Sequence, residues 1–197
     1  MAKVEDQKES RSNESPHKRA PRNPEARRQQ IIEAAADIIS REGSNKVTNR
    51  KVADQAGVPL GSTTQYFKNI DELRRAGLEE VARRLTRDYD EIFQVVSQDE
   101  QLEDALTEAI DIYLSQPERV NADAALGTAA IGDPKVKDIA VQTFEQFLKQ
   151  CEPYMDAERA KILFAFVEGV VINSCFMGVP YNKEIIRKAV SLILSDK

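Results

Sequence analysis

Residues 48–67 read TNRKVADQAGVPLGSTTQYF, from Thr48 to Phe67, and two short helices joined by a tight turn account for the pattern. Thr48 is an N-cap residue, whose side-chain oxygen accepts from a backbone N–H in the first turn. Ala53 is small where two helices must approach. Gly57 suits a backbone position of positive φ at the end of the first helix. Val58 is apolar immediately after it, and Val52 and Tyr66 are expected to complete a small core. A small residue, a glycine four positions later and then an apolar residue is the spacing of a helix-turn-helix, whose second helix lies in the DNA major groove. An αα-corner in an all-helical protein has the same spacing.

The polar positions suit DNA. Thr48 and Asn49 stand at a helix N-terminus, where backbone N–H groups and the helix dipole favour a phosphate. Arg50, Lys51 and Lys68 add positive charge, with Arg28 on the preceding helix. Leu60, Gly61, Ser62, Thr63, Thr64 and Gln65 open the expected reading helix, followed by Tyr66. Gln pairs with adenine, and Thr bonds base edges or touches the thymine methyl.

Working outward, Asn23 caps a first helix with Pro24 at its first position. Ile31, Ala35, Ile38 and Ile39 recur at helical spacing, and Gly43 ends it. A long helix begins near Asp71 with an apolar face of Leu73, Leu78, Val81, Leu85, Tyr89, Ile92 and Val96, about 40 Å at the helical rise. Proline and glycine then divide the chain into helices expected near 102–114, 118–131, 135–151, 157–177 and 183–194. The prediction is an all-α chain of about nine helices. It has a polar, disordered tail over 1–22, a helix-turn-helix domain over 23–70 and a helical ligand-binding and dimerisation domain over 71–197.

Charge supports this division. The 197 residues hold 28 Lys and Arg against 33 Asp and Glu, a net of −5 that by itself argues against a nucleic-acid binder. Yet residues 1–75 carry a net of +4 and residues 76–197 a net of −9. A basic part on an acidic body can mark a nucleic-acid-binding module. The sole histidine, His17, lies in the tail, so His-based triads and His-rich metal sites are excluded, and no catalytic motif or metal site stands out. Cys151 and Cys175 lack disulfide partners at motif spacing and are expected in a reducing, cytoplasmic compartment. The most apolar run, 162–172, is broken by Glu168 and Gly169 and is shorter than a membrane span, so no membrane association is expected.

The segment RRQQIIEAAADIISREG, from Arg27, together with TNRKVADQAGVPLGSTTQYFKNIDEL, closely resembles the N-terminal domain of TetR-family transcriptional regulators. Ile31, Ile32, Ala34, Ala35, Gly43, Thr48, Val52, Ala53, Ala56, Gly57, Val58, Gly61, Tyr66, Phe67 and Leu73 carry the resemblance. It covers about a quarter of the chain. It implies an all-α homodimeric repressor on a double-stranded DNA operator, expected to be palindromic, released by a small-molecule effector bound in the C-terminal domain, with no cofactor. Three positions depart from the family's pattern. Pro59 stands where a capping Ser is common. Thr63-Thr64 replaces an apolar residue and Tyr. Ile70 stands where Lys or Arg is common. DNA binding is expected to survive with a different operator.

Beyond Leu73 the resemblance is architectural. The helix near 157–177 is apolar on nearly all sides and must be buried. A four-helix bundle with a partner subunit is favoured over burial within one subunit, and Gly169 would permit close approach. Effector-pocket candidates by residue type are Tyr89, Phe93, Val96, Tyr113, Leu126, Phe144, Phe147 and Phe164, for each of which ordinary core packing is the favoured reading, with Glu168 and Asn173 as polar residues in the apolar helix. A buried Glu168 needs a partner. An intersubunit Arg or Lys, a helix N-terminus or a cationic ligand would serve, and a structural partner is favoured. Two rival readings stay open: a helical ligand- or protein-binding module that has lost its operator, and an enzyme using carboxylates in a helical cavity.

Overall fold

The computed structural model describes residues 23–96, 101–179 and 181–195; the expected tail over 1–22 lies outside them. Nine α-helices and one 3-10 turn make up the regular structure of the described residues. They are α1 (Pro24–Glu42), a 3-10 turn (Ser44–Lys46), α2 (Asn49–Ala56), α3 (Leu60–Tyr66), α4 (Ile70–Val96), α5 (Leu102–Leu114), α6 (Pro117–Gly132), α7 (Pro134–Cys151), α8 (Ala157–Met177) and α9 (Lys183–Leu194).

Local chemistry sets most boundaries. The Asn23 side chain accepts from the N–H groups of Glu25 and Ala26, Thr48 from Lys51, Asp133 from Lys135, Asp156 from Glu158 and Arg159, and Asn182 from Glu184. Each cap satisfies donors that the first helical turn leaves without an intrahelical partner. Pro59 reads in the sequence as the opening residue of the third helix, but it is the N-cap, with extended ψ 141°, and α3 begins at Leu60.

The N-terminal core is built from wholly buried Ile31, Ile38, Ile39, Val47, Val52, Phe67 and Leu73. Phe67, not Tyr66, is the aromatic that fills this core; Tyr66 is half-buried. α1 lies against α4 and also against α6. Gly77 marks the closest approach: a Cβ there would stand 2.9 Å from Ile39 Cδ1 and 3.1 Å from Ala35 Cβ. Ion pairs tie the same helices together, Arg84 to Asp37 at 2.8 Å and Arg119 to Asp88 at 3.2 Å. The N-terminal part therefore touches the body through α6 as well as through α4, the link that chain continuity provides.

The body packs α4, α5, α6, α7 and α8 around a second apolar region, with α9 laid on α5 and α8. Lys183 pairs with Glu108 and Arg187 with Asp104, joining α9 to α5. α8 departs from the expectation of all-round burial. Within one chain it buries Ala160, Leu163, Val170, Val171 and Ser174, while Ile162, Phe176 and Met177 lie open. Uncovered apolar residues on its other side explain why its composition alone suggested a fully buried helix. Its 21 residues are also long and apolar enough to cross a membrane by length and composition, which the shorter run counted in the sequence had missed.

Candidate functional site

The turn between α2 and α3 has the geometry its sequence requires. Gly57 adopts φ 62° and ψ 37°, in the left-handed region. Its N–H donates to the Asp54 carbonyl at 3.2 Å and that of Val58 to the Ala53 carbonyl at 3.0 Å. This closes the α2 C-terminus in the manner of a Schellman turn. Gln30 of α1 donates to the Ala56 carbonyl at 2.7 Å and fixes the end of α2 from the other side.

α3 has two unlike sides. Leu60, Gly61, Thr64 and Gln65 are exposed and share one face, since positions four apart lie above one another on a helix. Ser62 and Tyr66 flank it, half-buried. Thr63 turns the other way. It is wholly buried and its hydroxyl donates to the Leu60 carbonyl at 2.8 Å, so it belongs to the packing and is removed from the base-facing set. The Thr64 hydroxyl donates to the Gly61 carbonyl at 3.1 Å, leaving its oxygen open as an acceptor. A Cβ at Gly61 would meet nothing within 4 Å, so the chain's own packing does not demand glycine there.

Around this face Thr48, Arg50 and Lys68 are exposed, and Asn49 is half-buried. Arg50 approaches Asp54 at 4.0 Å with most of its side chain in solvent, whereas Lys51 is held by Glu42 at 2.6 Å. The half-buried Arg28 sits over the Phe67 ring, its guanidinium carbon 5.2 Å from the ring centroid. That cation–π contact gives Arg28 a packing role.

A separate cavity of about 50 Å³ lies in the body between α4, α5, α6, α7 and α8. Of the expected pocket residues, Tyr89, Phe93, Tyr113, Phe147, Phe164 and Glu168 line it. Four do not. Val96 and Leu126 are buried elsewhere in the core, and Phe144 packs behind Phe164, with ring centroids 4.7 Å apart. Asn173 is exposed on the outer side of α8, because it falls on the face that the chain leaves uncovered. The aromatic wall is continuous: Phe147 meets Tyr89, Phe93 and Phe164 at centroid distances of 5.4, 5.9 and 5.2 Å.

Asp123 is the residue that sequence reasoning missed. It lies on α6, 5% exposed, and accepts from the Tyr113 hydroxyl at 2.8 Å. It is also hydrogen-bonded to Glu168. Within the chain, among the described residues, the neighbour of Glu168 is thus a second carboxyl group, which was not among the partners expected for it. Burial raises both carboxyls above their usual range, and the negative charge of Asp123 raises Glu168 further. Burial likewise holds the Tyr89 and Tyr113 hydroxyls well above their ordinary value, so both remain neutral phenols. Two buried acids that interact with each other favour holding one proton between them.

Residues 31–77 match the family model for bacterial regulatory proteins of the tetR family. The HTH-type nicotine-responsive transcriptional repressor HdnoR of Paenarthrobacter nicotinovorans is 28% identical over 128 residues, 63% of this chain and 64% of its own length. An HTH-type transcriptional regulator of Haemophilus influenzae is 38% identical over 71 residues, 32% of this chain and 36% of its own. The chain therefore spans less than two thirds of the length of these curated relatives. Among solved structures, the multidrug binding protein EbrR complexed with proflavin superposes with a TM-score of 0.72 at 26% identity, covering 85% of this chain and 99% of that one. A TetR-family member from Streptomyces coelicolor A3 gives a TM-score of 0.72 at 27% identity, over 86% and 99% of the two chains.

Proposed function

We propose, from the premise that this chain belongs to the TetR family of regulatory proteins, that it is a dimeric, sequence-specific DNA-binding regulator whose affinity for its operator is set by a small molecule. The observation that carries the reading is the exposed face of α3. Leu60, Gly61, Thr64 and Gln65 are presented together, flanked by Thr48, Asn49, Arg50 and Lys68 and supported from behind by Thr63 and Phe67. Gln65 and Thr64 read bases, while Arg50, Lys68 and the N-terminus of α2 hold phosphates. Catalysis forms no part of this function.

The dimer is supported by the uncovered face of α8 and α9. Ile162, Gly169 and Phe176 follow at sevens along α8, all exposed, and Ile185 and Leu192 repeat the interval on α9. Apolar residues at this interval form the seam of packed helices. Gly169 has open space around its missing Cβ, so this chain does not require it and close approach by a partner would. A four-helix bundle from two copies covers the face, so α8 is an interface helix and the protein works in the cytoplasm. Two reading heads on one molecule match a palindromic operator, with α3 helices about 34–36 Å apart or slightly more.

The effector site is the cavity, supported by its aromatic lining and by the similarity to EbrR, which is described as a multidrug binding protein and is solved with proflavin, ethidium and malachite green. α6 bears Asp123 on the cavity side and packs on α1 with its other face, and α4 runs from Leu73 in the head to Phe93 in the cavity. A ligand that repositions α6 or α4 changes the separation of the heads and shifts the population away from the DNA-competent state.

Fluorescence anisotropy on labelled duplex DNA at increasing salt tests the reading. Phosphate contacts make log affinity fall linearly with log salt, and Arg50→Ala should lower that slope by about one. Salt-independent binding, or none at low salt by folded protein, would sink it.

A further inference from the structure

The cavity, and not the acids alone, makes this a site. It is a small, partly open space bounded by Tyr89, Phe93, Tyr113, Phe147 and Phe164, and among the described residues the carboxyls on its wall are Asp123 and Glu168. Resting on the reading of this cavity as the effector site, we infer that its ligand is an organic monocation with an apolar body, whose charge replaces the proton shared by Asp123 and Glu168.

The argument begins with what each group offers. Asp123 accepts from Tyr113 at 2.8 Å and is bonded to Glu168. The shared hydrogen bond requires one proton, so the pair carries one negative charge between its two acids. The groups facing it are Tyr89 from α4, Tyr113 from α5 and Cys175 from α8; α7 contributes apolar Phe147 to the lining. The nearest base on α6, Arg119, is already paired with Asp88 at 3.2 Å. No cation of the protein pairs with either acid among the described residues, and burial makes a doubly charged pair costly in the empty cavity. A ligand cation removes that cost. When it enters, one proton leaves to solvent and the charge in the cavity changes from minus one, for the protonated pair, to minus one again, for two carboxylates and one cation. Atoms and charge balance without another reactant.

The aromatic wall suits the same ligand. Five ring faces or edges surround the acids, and ring faces attract cations. The space is far below the roughly 300 Å³ of an ordinary ligand pocket. A ligand larger than a few heavy atoms must spread Phe147 and Phe164 from Tyr89 and Phe93, which moves α7 and α8 relative to α4. Charge exchange and helix movement are then one event.

Isothermal titration calorimetry on the full chain tests this with 1-methylquinolinium, a permanent cation, and 1-methylnaphthalene, its neutral isostere. In buffers of differing ionisation enthalpy at neutral pH, the cation should bind with release of close to one proton, and its affinity should rise up to tenfold per pH unit while the pair still holds that proton. The neutral isostere should bind weaker, without proton release or pH dependence. Glu168→Gln, which keeps the shape, should abolish proton release and flatten the pH profile. Asp123→Asn combined with it should erase the preference for the cation, by tenfold or more. Equal binding of the two probes, absence of proton release, or failure of the cation to bind at millimolar concentration overturns the inference. Adding the cation to the protein–DNA complex separates the two claims: proton-linked binding that leaves DNA affinity unchanged would spare the inference and remove the effector role.

Discussion

Gly57 places the turn of the reading head on a backbone that a side chain disfavours. Its φ of 62° is left-handed, and a Cβ there would meet nothing within 4 Å, so the penalty for replacing it is conformational and not steric crowding. Gly57→Val should destabilise the fold by about 1–3 kcal/mol and abolish DNA binding, whereas Gly57→Asn, which tolerates this region, should cost much less; urea unfolding and anisotropy measure the two. Gln65 is exposed at the centre of the reading face, so Gln65→Ala should change sequence preference, while Arg50→Ala should weaken all sequences alike. Equal losses on specific and random DNA for Gln65→Ala would remove it from base readout. The Asp123–Glu168 pair predicts a pH effect on stability. Burial, then the charge and hydrogen bond of Asp123, raise Glu168 from 4.5 to about 8, so between those values the folded state holds more protons than the unfolded chain. Stability should therefore fall as pH rises through that window, and thermal unfolding of Glu168→Gln should be flatter across it. The caps and Gly57 were legible because the rules behind them span only a few residues. Asp123 was not: its partner is 45 positions away, and only packing of α6 on α8 brings them together.

At the scale of elements, the helix count followed from Pro, Gly and capping residues, and boundaries shifted by one position where Pro117 and Pro134 entered the first turn. The sidedness of α3 was harder. In a seven-residue helix the buried face depends on what packs behind it, and here Thr63, with Phe67 just beyond the helix, is the buried position. Crossing geometry was also invisible. Gly77 lies outside the apolar face read for α4, yet α1 passes within contact of it. Gly77→Ala should push Ala35 and Ile39 away and cost about 1–3 kcal/mol in unfolding experiments. Burial around α8 was overestimated from composition, since half of what looked like core faces outward in one chain. Phe176, 81% exposed, belongs to that outward face. Phe176→Asp should leave a single chain folded, judged by circular dichroism, while sedimentation shows a monomer with weakened operator binding. A variant that remains dimeric would remove this part of α8 from the interface.

The whole molecule joins a reading head, a cavity and an uncovered helical face through α4, α6 and α1. The division into head and body proposed for it rests on the charge asymmetry and the helix-turn-helix spacing, both of which are readable without knowledge of packing. The route between head and cavity was only half visible, because α4 is continuous in sequence but the seat of α1 on α6 is not. Effector chemistry was hidden for the same reason as Asp123. The measurement that tests the account most directly is selection from a pool of random duplex DNA by the purified full chain at low salt, followed by sequencing. The account predicts enrichment of a palindrome whose half-sites lie about one helical turn apart, or slightly more, lost with Gly57→Val. No enrichment by folded, dimeric protein would contradict it, and would leave α2 and α3 as a helical corner on a ligand-binding module.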